Sequence, residues 1–259
     1  MTDMQTISAG TKTLKHVVAI SGSPRKGMTN KLLEDISDAL APYHVEVTIV
    51  RLQGYEIRDC VGCEACIRKT SQCIQQDDAQ AILSQLLQAD GIILASPVYM
   101  MSVTGKLKSL IDKTASWVHR PPLVGKPVLL VATTAGSGLG GVLKYLDQVT
   151  IEWGAFPTGR IGRTASSSGS ISNKAIEQFV WHLWAEKDQY APTFRQLIWY
   201  QVQKVLALKV LALDRAYWVE RGWDKQPYYF PCRISPLKRL VAWSAYRILY
   251  WRVRPTVGL

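Results

Sequence analysis

Apolar and polar positions alternate along the first 190 residues in a regular order. Short runs rich in Val, Ile, Leu and Ala predict five strands, and the stretches between them have the spacing of amphipathic helices. The predicted strands are 16–21, 44–50, 91–96, 127–134 and, with a weaker pattern, 155–162. The predicted helices are 29–41, 78–88, 104–118, 139–153 and 172–188. Strands that are apolar throughout and alternate with helices indicate a parallel sheet covered on both faces.

This order of elements fits an α/β fold of flavodoxin-like type, a doubly wound five-stranded parallel sheet with strand order 2-1-3-4-5. We expect this domain to span residues 15–190, after a disordered N-terminal segment at residues 1–14. Residues 191–259 differ in composition, because tryptophans and tyrosines lie among many Lys and Arg. They predict a basic, aromatic-rich helical extension, in which the prolines at 227–236 separate two helices.

The chain of 259 residues is 47% hydrophobic, which is enough for an ordinary buried core. We see neither a signal peptide nor an uncharged apolar run of about 18 residues, so we expect a cytoplasmic protein with reduced thiols. The net charge of +11 is concentrated in the extension, where twelve Lys and Arg from Arg195 onward face three acidic residues. An argument from charge to a partner therefore concerns the extension.

Three unusual loops follow the first, third and fourth predicted strands. They are SGSPRKGMTN at 21–30, SPVYMMSVTGK at 96–106 and TTAGSGLGG at 133–141. Doubly wound sheets bind their ligands beyond the carboxyl ends of the strands. We therefore expect the three loops to line one crevice.

The first loop combines glycines with short polar side chains just before a predicted helix. A helix start with unpaired backbone N–H groups binds phosphate well, and Arg25 can add charge-assisted contacts. No Gly-Lys-Ser/Thr triplet follows, so a nucleotide triphosphatase loop is not expected. The alternative is a polar capping turn with Thr29 as the N-cap.

The other two loops are open to two interpretations each. In the second, Tyr99 offers an aromatic face beside a strand end, although Tyr99, Met100 and Met101 could equally be core residues. The third contains Gly136, Gly138 and Gly141 in the spacing G-x-G-x-x-G. A dinucleotide fingerprint is the less favoured interpretation, because the loop follows the fourth strand and Arg160, not an acidic residue, stands at the end of the fifth.

SGSPRKGMTN and SPVYMMSVTGKLKSLIDKT together resemble the flavodoxin-like NAD(P)H-dependent FMN reductase family, over residues 15 to about 160. The resemblance implies that the first loop holds the FMN phosphate, that the second lies against the isoalloxazine ring, and that the third lines the ribityl and pyrimidine side. The cofactor-binding candidates are Ser21, Ser23, Pro24, Arg25, Met28, Thr29 and Asn30 in the first loop, Pro97, Val98, Tyr99 and Met100 in the second, and Ala135, Gly136 and Gly138 in the third.

Four of the five cysteines lie within fourteen residues, at Cys60, Cys63, Cys66 and Cys73. Structural zinc usually uses two pairs that are a dozen or more residues apart, whereas this compact spacing suits an iron–sulfur cubane. Zinc and a structural loop of reduced thiols remain the alternatives. A disulfide framework is not expected in the cytoplasm.

The segment DCVGCEACIRKTSQCIQQDD also resembles the motif of the iron–sulfur flavoproteins, a branch of the same group. That resemblance implies a [4Fe–4S] cluster on the four cysteines that relays single electrons to FMN, often across a subunit interface. It therefore also implies a homo-oligomer.

The extension has two interpretations. It could dock on the core or on a second subunit, with its aromatic residues covering the cofactor crevice, or it could make a peripheral membrane contact. The amphipathicity of the last helix is mediocre, and GWDKQPYYF followed by SPLKRL resembles the C-terminal extension of some longer members of this flavoprotein group, so docking is favoured. No nucleic-acid motif appears, so nucleic acid is not an expected partner.

We predict an FMN-dependent oxidoreductase, an NAD(P)H-dependent reductase of small acceptors such as quinones or flavins, with a [4Fe–4S] cluster that relays single electrons. The alternative is a non-enzymatic iron–sulfur electron carrier or a membrane-docked interaction module. The expected partner is a small-molecule electron acceptor or a redox protein. We assign no catalytic side chain, because the cofactors supply the chemistry. His119 and Arg120 could face the ring, although a surface position is commoner for a histidine at a helix end.

Overall fold

The structure, a computed structural model, describes residues 13–167 and 171–255. Most of the predicted N-terminal segment 1–14 lies outside these residues. Five parallel strands form one sheet in the order β2-β1-β3-β4-β5, so the predicted fold class is confirmed. The strands are β1 Lys15–Ser21, β2 Val45–Arg51, β3 Gly91–Pro97, β4 Pro127–Thr134 and β5 Phe156–Thr164.

Among the described residues, six helices cover the two faces of the sheet. They are α1 Met28–Leu40, α2 Ala79–Gln88, α3 Gly105–Asp112, α4 Ala115–His119, α5 Leu139–Glu152 and α6 Asn173–Trp184. One apolar cluster joins alternate strand residues to α1 and α6, and the other joins the opposite strand residues to α2, α3, α4 and α5. The central strands β3 and β4 are buried on both sides because each faces both clusters, which explains their uninterrupted apolar sequence.

The predicted helix 104–118 is two helices, α3 and α4, that are separated at Lys113 and Thr114. Both polar side chains turn inward at the break. Thr114 Oγ1 donates a hydrogen bond to the Ile111 carbonyl (2.6 Å) and accepts one from Trp153 Nε1 (2.8 Å). Lys113 forms a fully buried ion pair with Asp77 at 2.8 Å. A continuous helix is interrupted here because these two residues find their partners in the core.

The extension contains three helices in its described part, not the two predicted: α7 Phe194–Lys209, α8 Ala212–Glu220 and α9 Pro236–Arg252. A reciprocal capping box between Thr193 and Gln196 begins α7, and Ser235 caps α9. An aromatic cluster holds the three helices and the segment before α9 together. Its largest buried members are Tyr200, Trp218, Trp223, Tyr228 and Tyr229.

The extension packs against α4 and the end of α5. Gln203 Nε2 donates to the carbonyls of Val118 (2.6 Å) and Glu152 (2.9 Å), and Arg195 pairs with Asp147. Because α4 and α5 lead into β4 and β5, these contacts lie toward the amino ends of those strands. The expectation that the aromatic residues cover the crevice is therefore wrong within this chain, because no described residue of the extension lines it.

None of the described helices combines the length and the apolar composition that crossing a bilayer requires.

Candidate active site

One crevice at the carboxyl edge of the sheet receives residues from all three predicted loops. Its cavity measures about 130 Å³. The lining residues are Ser23, Arg25, Gly27, Met28 and Thr29 from the first loop, Pro97, Val98 and Tyr99 from the second, and Thr133, Thr134 and Ala135 from the third. The convergence follows from the topology, because β1, β3 and β4 are neighbours whose carboxyl ends meet at the same edge.

Two candidate residues, Ser21 and Asn30, support the backbone of the first loop from the interior of the protein. Ser21 Oγ donates to Asn30 Oδ1 at 2.6 Å, and Asn30 Nδ2 donates to the Arg25 carbonyl at 2.9 Å. Both residues are buried, and neither lines the cavity. Ser23 Oγ also donates to the Arg25 carbonyl, at 2.8 Å. These bonds fix the backbone that carries the Arg25 side chain.

The start of α1 is left without a side-chain cap. The N-cap is Gly27, which has no side chain, and the interpretation of Thr29 as the N-cap is wrong. Thr29 instead shares a hydrogen bond of 2.7 Å with the hydroxyl of Thr133. The first N–H groups of a helix have no intrahelical acceptor. Together with the Arg25 guanidinium, these amides suit a phosphate group.

The second loop is a tight reversal that holds unusual backbone angles. Tyr99 and Ser102 exchange backbone hydrogen bonds of 2.9 and 3.0 Å across the turn. Between them, Met100 and Met101 have φ angles of 43° and 66°. Such angles cost on the order of 1 kcal/mol each in non-glycine residues, and strain of this kind clusters at functional sites. The Met100 side chain is 97% exposed and does not line the cavity.

The third loop rests on the second. Gly138 has a φ of 87°, and a Cβ atom there would lie 2.7 Å from Val98 Cγ1. Gly138 therefore allows close contact between the loops, which is a packing role rather than a dinucleotide fingerprint. Thr134 Oγ1 accepts from the Gly136 amide (3.1 Å) and donates to the Ser137 carbonyl (2.8 Å), which closes the turn.

The structure places eight of the fourteen cofactor-binding candidates in the lining of the cavity: Ser23, Arg25, Met28, Thr29, Pro97, Val98, Tyr99 and Ala135. Six candidates lie outside the lining: Ser21, Pro24, Asn30, Met100, Gly136 and Gly138. Sequence reasoning missed three lining residues, Gly27, Thr133 and Thr134. Thr133 and Thr134 carried a signal, because they are hydroxyl residues at the carboxyl end of a central strand.

The cysteine loop, residues 55–78, connects β2 to α2 and is fixed at its two ends. Near its base, the Asp78 carboxylate accepts from the Glu56 amide (2.7 Å) and the Asp77 carboxylate accepts from the Arg58 amide (2.8 Å). Burial opposes ionisation of Asp77, but the hydrogen bond from Lys113 and those from backbone amides outweigh it and lower its pKa. The middle of the cysteine loop forms a single π-helical turn, Cys66–Thr70.

All four loop cysteines line one cavity of about 80 Å³, together with Lys113. Lys113 Nζ lies 3.9 Å from Cys73 Sγ. Burial raises the pKa of the Cys66 thiol, and Cys73, Cys60 and Cys63 raise it further because like charges repel. Within residues 13–167 and 171–255, no three His, Cys, Asp or Glu side chains stand in the arrangement of a finished metal site. The suitability of this loop for a metal therefore rests on one observation, that its four thiols line the same cavity.

Arg120 and His119 do not line the crevice, and both contact one carboxylate of the extension. Arg120 Nη2 donates to the carbonyls of Cys66 (2.7 Å) and Ile67 (3.0 Å), and its Nη1 contacts the carboxylate of Asp214. His119 Nδ1 lies 2.9 Å from the second oxygen of the same carboxylate. Asp214 is fully buried on α8. The extension thus reaches the cysteine loop through a buried ion pair that no sequence motif indicated.

The fold and the crevice define a class of protein: a flavodoxin-like α/β protein whose sheet edge suits a ligand with a phosphate group. The chain belongs to the family of NADPH-dependent FMN reductases, whose family model matches residues 16–167. The resemblance on which the sequence interpretation rested is therefore confirmed.

Comparison with known proteins adds relatives of two kinds. An iron–sulfur flavoprotein of Archaeoglobus fulgidus is 37% identical over 144 residues, which cover 55% of this chain and 65% of the relative. An iron–sulfur flavoprotein of Methanocaldococcus jannaschii is 39% identical over 99 residues, or 38% of this chain and 51% of the relative. A quinone reductase of Escherichia coli is 30% identical over 172 residues, or 62% and 81%.

For these two iron–sulfur flavoproteins, the match spans only about half to two thirds of their own length. Among solved structures, RosB with bound 8-demethyl-8-formylriboflavin-5'-phosphate aligns over 90% of this chain and 87% of its own, with a TM-score of 0.50. Its sequence identity of 11% means that this likeness concerns the fold alone.

Proposed function

We propose that the protein binds FMN in the crevice and acts as an NAD(P)H-dependent oxidoreductase that reduces small acceptors of the quinone or flavin type. One observation carries the proposal: a single cavity joins the uncapped start of α1 to the strained turn at Tyr99. In this arrangement the amides of α1, the hydroxyl of Thr29 and the guanidinium of Arg25 hold the phosphate, and the Ser23 hydroxyl supports the loop through the Arg25 carbonyl. The aromatic face of Tyr99 and the rigid Pro97 then lie against the ring.

Bound FMN supplies electron exchange with a nicotinamide donor in pairs and with other centres singly. The residues of the chain bind the FMN and orient it. The crevice is lined by no acidic side chain of the described residues, so an anionic phosphate meets no repulsion there. The family relatives named for iron–sulfur flavin chemistry and for quinone reduction support an oxidoreductase.

The phosphate contact is tested by removing flavin and titrating the apoprotein with FMN and with riboflavin, which lacks the phosphate. Arg25→Gln should weaken FMN binding about 10- to 100-fold, because a charge-assisted hydrogen bond contributes about 1.5–3 kcal/mol. Riboflavin binding should not change. The matched control is Lys26→Gln, which removes a neighbouring exposed charge outside the cavity. Equal affinities for FMN and riboflavin in the unmodified protein would contradict the proposed site.

Reductase activity is tested on the FMN-loaded protein under anaerobic conditions, with NADPH or NADH and a quinone. We expect the absorbance of the flavin to bleach on addition of the nicotinamide and to return on addition of the quinone. A flavin that remains oxidised with both nicotinamides would leave binding intact but would overturn the reductase.

We further propose that Cys60, Cys63, Cys66 and Cys73 hold a [4Fe–4S] cluster, because all four thiols line one cavity. Asp112 and Lys113, at the end of α3, line this cavity, whereas no described lining residue of the crevice belongs to α3, so the two sites are distinct. Lys113 Nζ lies 3.9 Å from Cys73 Sγ, and Arg120 donates to the Cys66 carbonyl, so both place positive charge beside the thiols.

The cluster is tested by iron and sulfide analysis of anaerobically purified protein. Cys63→Ser should lose the iron and the broad absorbance near 400 nm, while Cys232→Ser, which alters the cysteine outside the loop, should retain both. Zinc in place of iron, or no metal in either protein, would overturn this part of the proposal. The predicted homo-oligomer and cytoplasmic location stay predictions.

A further inference from the structure

The last helix, α9, uses one of its faces to dock on α7. Ala242 is buried in the aromatic cluster, and the ammonium group of Lys204 on α7 lies 5.3 Å from the ring centre of Tyr246. At the end of the helix, Lys209 Nζ donates to the carbonyls of Tyr250 and Val253. This inner face fixes the orientation of α9 on the extension.

The outer face of α9 carries an apolar stripe. Its five members are 39–85% exposed and lie within an arc of about 100° on the helix. They are Leu237, Leu240, Val241, Ile248 and Trp251. Because α9 is apolar on both faces, its sequence alone shows little amphipathicity; the separation into an inner and an outer face appears only once Ala242 and Tyr246 are seen to dock.

Positive charge surrounds the stripe. On the helix, Arg247 flanks it on one side and Arg252 on the other. After Asp224 the sequence contains seven Lys and Arg and no acidic residue. Between α9 and α7 lies a cavity of about 330 Å³, which Lys204, Lys225, Arg239 and Arg247 line without an acidic side chain of the described residues.

The charge decides which occupant suits this face. A second copy of the chain that docked stripe to stripe would bring two basic helices together, and like charges would oppose the contact. A bilayer with anionic phospholipids offers the opposite charge and an apolar layer beneath it. Trp251, which is 85% exposed, is of the residue type that is enriched where water meets the bilayer.

We propose that the outer face of α9, which we call the basic–apolar face, docks the protein on the surface of a bilayer that contains anionic phospholipids. The stripe enters the headgroup region, and Arg247 and Arg252 beside it bind lipid phosphates. No described lining residue of the crevice belongs to α9, so the docked protein keeps its crevice open. This inference is independent of the proposed redox function.

The test is flotation of the full chain with vesicles of phosphatidylcholine alone or with a quarter of phosphatidylglycerol. We expect the protein to float with the anionic vesicles only. Leu240→Gln combined with Ile248→Gln and Trp251→Gln should weaken this binding on the order of 100-fold, because three apolar side chains no longer leave water. Arg247→Gln with Arg252→Gln should weaken it about 30-fold and leave a smaller dependence on salt.

The matched control replaces three exposed apolar residues outside α9, as Leu14→Gln, Leu87→Gln and Val219→Gln, and should float like the unmodified protein. All of these side chains are exposed, so the fold is expected to survive, which circular dichroism checks. Three results would overturn the proposal: no flotation with anionic vesicles, equal loss in the control, or a dimer that the α9 triple variant converts to a monomer. The last would make the face an interface between copies.

Discussion

At the scale of single residues, the crevice depends on a glycine whose missing side chain allows two loops to approach each other. Gly22 lies where the first loop touches the start of α3, and Thr104 Oγ1 donates to its carbonyl at 2.8 Å. A Cβ atom at Gly22 would lie 2.8 Å from that same hydroxyl and 3.1 Å from Leu107 Cβ. The absence of a side chain there lets the first and second loops meet.

We therefore expect Gly22→Ala to push the two loops apart, to destabilise the protein by about 1–3 kcal/mol, and to weaken FMN binding. Thermal unfolding and flavin titration measure the two effects. The control is Gly105→Ala at the first position of α3, where an added Cβ meets nothing within 4 Å. It should not lower stability, since alanine favours a helix. Equal behaviour of the two variants would show that the close approach at Gly22 has no consequence.

At the scale of elements, α8 holds the cysteine loop although the two are far apart in the chain. Asp214 on α8 contacts Arg120, and Arg120 holds the carbonyls of Cys66 and Ile67. Ser116 on α4 adds a hydrogen bond of 2.8 Å to the Ser71 carbonyl. The π-helical turn of the loop is thus held by hydrogen bonds to its carbonyls, which a change in α8 disturbs.

We expect Asp214→Asn to lower the free energy of unfolding by about 3–5 kcal/mol, because Arg120 would keep its charge in a buried site without a carboxylate. Hydrogen exchange of the amides at 64–71 should become faster in the metal-free protein. This readout does not require a cluster.

The matched control is Glu220→Gln on the same helix. That carboxylate is 76% exposed and pairs with Arg221 at 3.1 Å, so its removal should change stability by less than about 1 kcal/mol. If exchange at 64–71 is the same in both variants, Arg120 does not hold the loop.

At the scale of the whole molecule, the extension adds a third core that is rich in tyrosine. Tyr200 donates its hydroxyl to the Trp223 carbonyl at 2.6 Å, and burial raises the pKa of Tyr228 and Tyr229 far above the usual range. Burial also raises the pKa of Tyr190, to about 12. These groups are held as neutral phenols by the packing of the extension on itself and on the core.

The sign of the resulting pH dependence is fixed by the raised pKa values. Below about pH 10 the phenols are neutral in both states, so their contribution to stability is complete. Above it the unfolded chain loses protons that the folded chain keeps, which lowers stability by about 1.4 kcal/mol per tyrosine and pH unit.

We expect tyrosinate absorbance near 295 nm to appear together with the loss of near-ultraviolet circular dichroism as the pH rises from about 10 to 12. Tyr200→Phe removes one of these buried phenols, so the free energy of unfolding should fall less steeply with pH, by about 1.4 kcal/mol per pH unit. A gradual titration of every tyrosine without unfolding would contradict the buried state of this core.

The strands, the meeting of the three loops and the family were all predictable from residues that are close together in the chain. The central strands followed from apolar runs at 16–21, 91–96 and 127–134, because a strand buried on both faces must be apolar at every position. The strand order followed from the alternation of strands and helices, which fits a flavodoxin-like fold. The convergence of the three loops followed from parallel strands, whose carboxyl ends share one edge. The family followed from loop motifs whose residues are consecutive in the chain.

Other features needed the folded chain. That Asn30 supports the first loop and does not line the cavity depends on its hydrogen bonds to Ser21 and Arg25. The break between α3 and α4 depends on buried partners for Lys113 and Thr114, and the role of Arg120 depends on a carboxylate 94 residues further along.

The sequence by itself determined the fold class, the three loops and the concentration of thiols, because periodicity and composition are properties of neighbouring residues. Tertiary structure alone decided which polar side chains face the crevice, what holds the cysteine loop, and which face of α9 remains exposed. These depend on contacts between distant segments, and local spacing carries no record of such contacts.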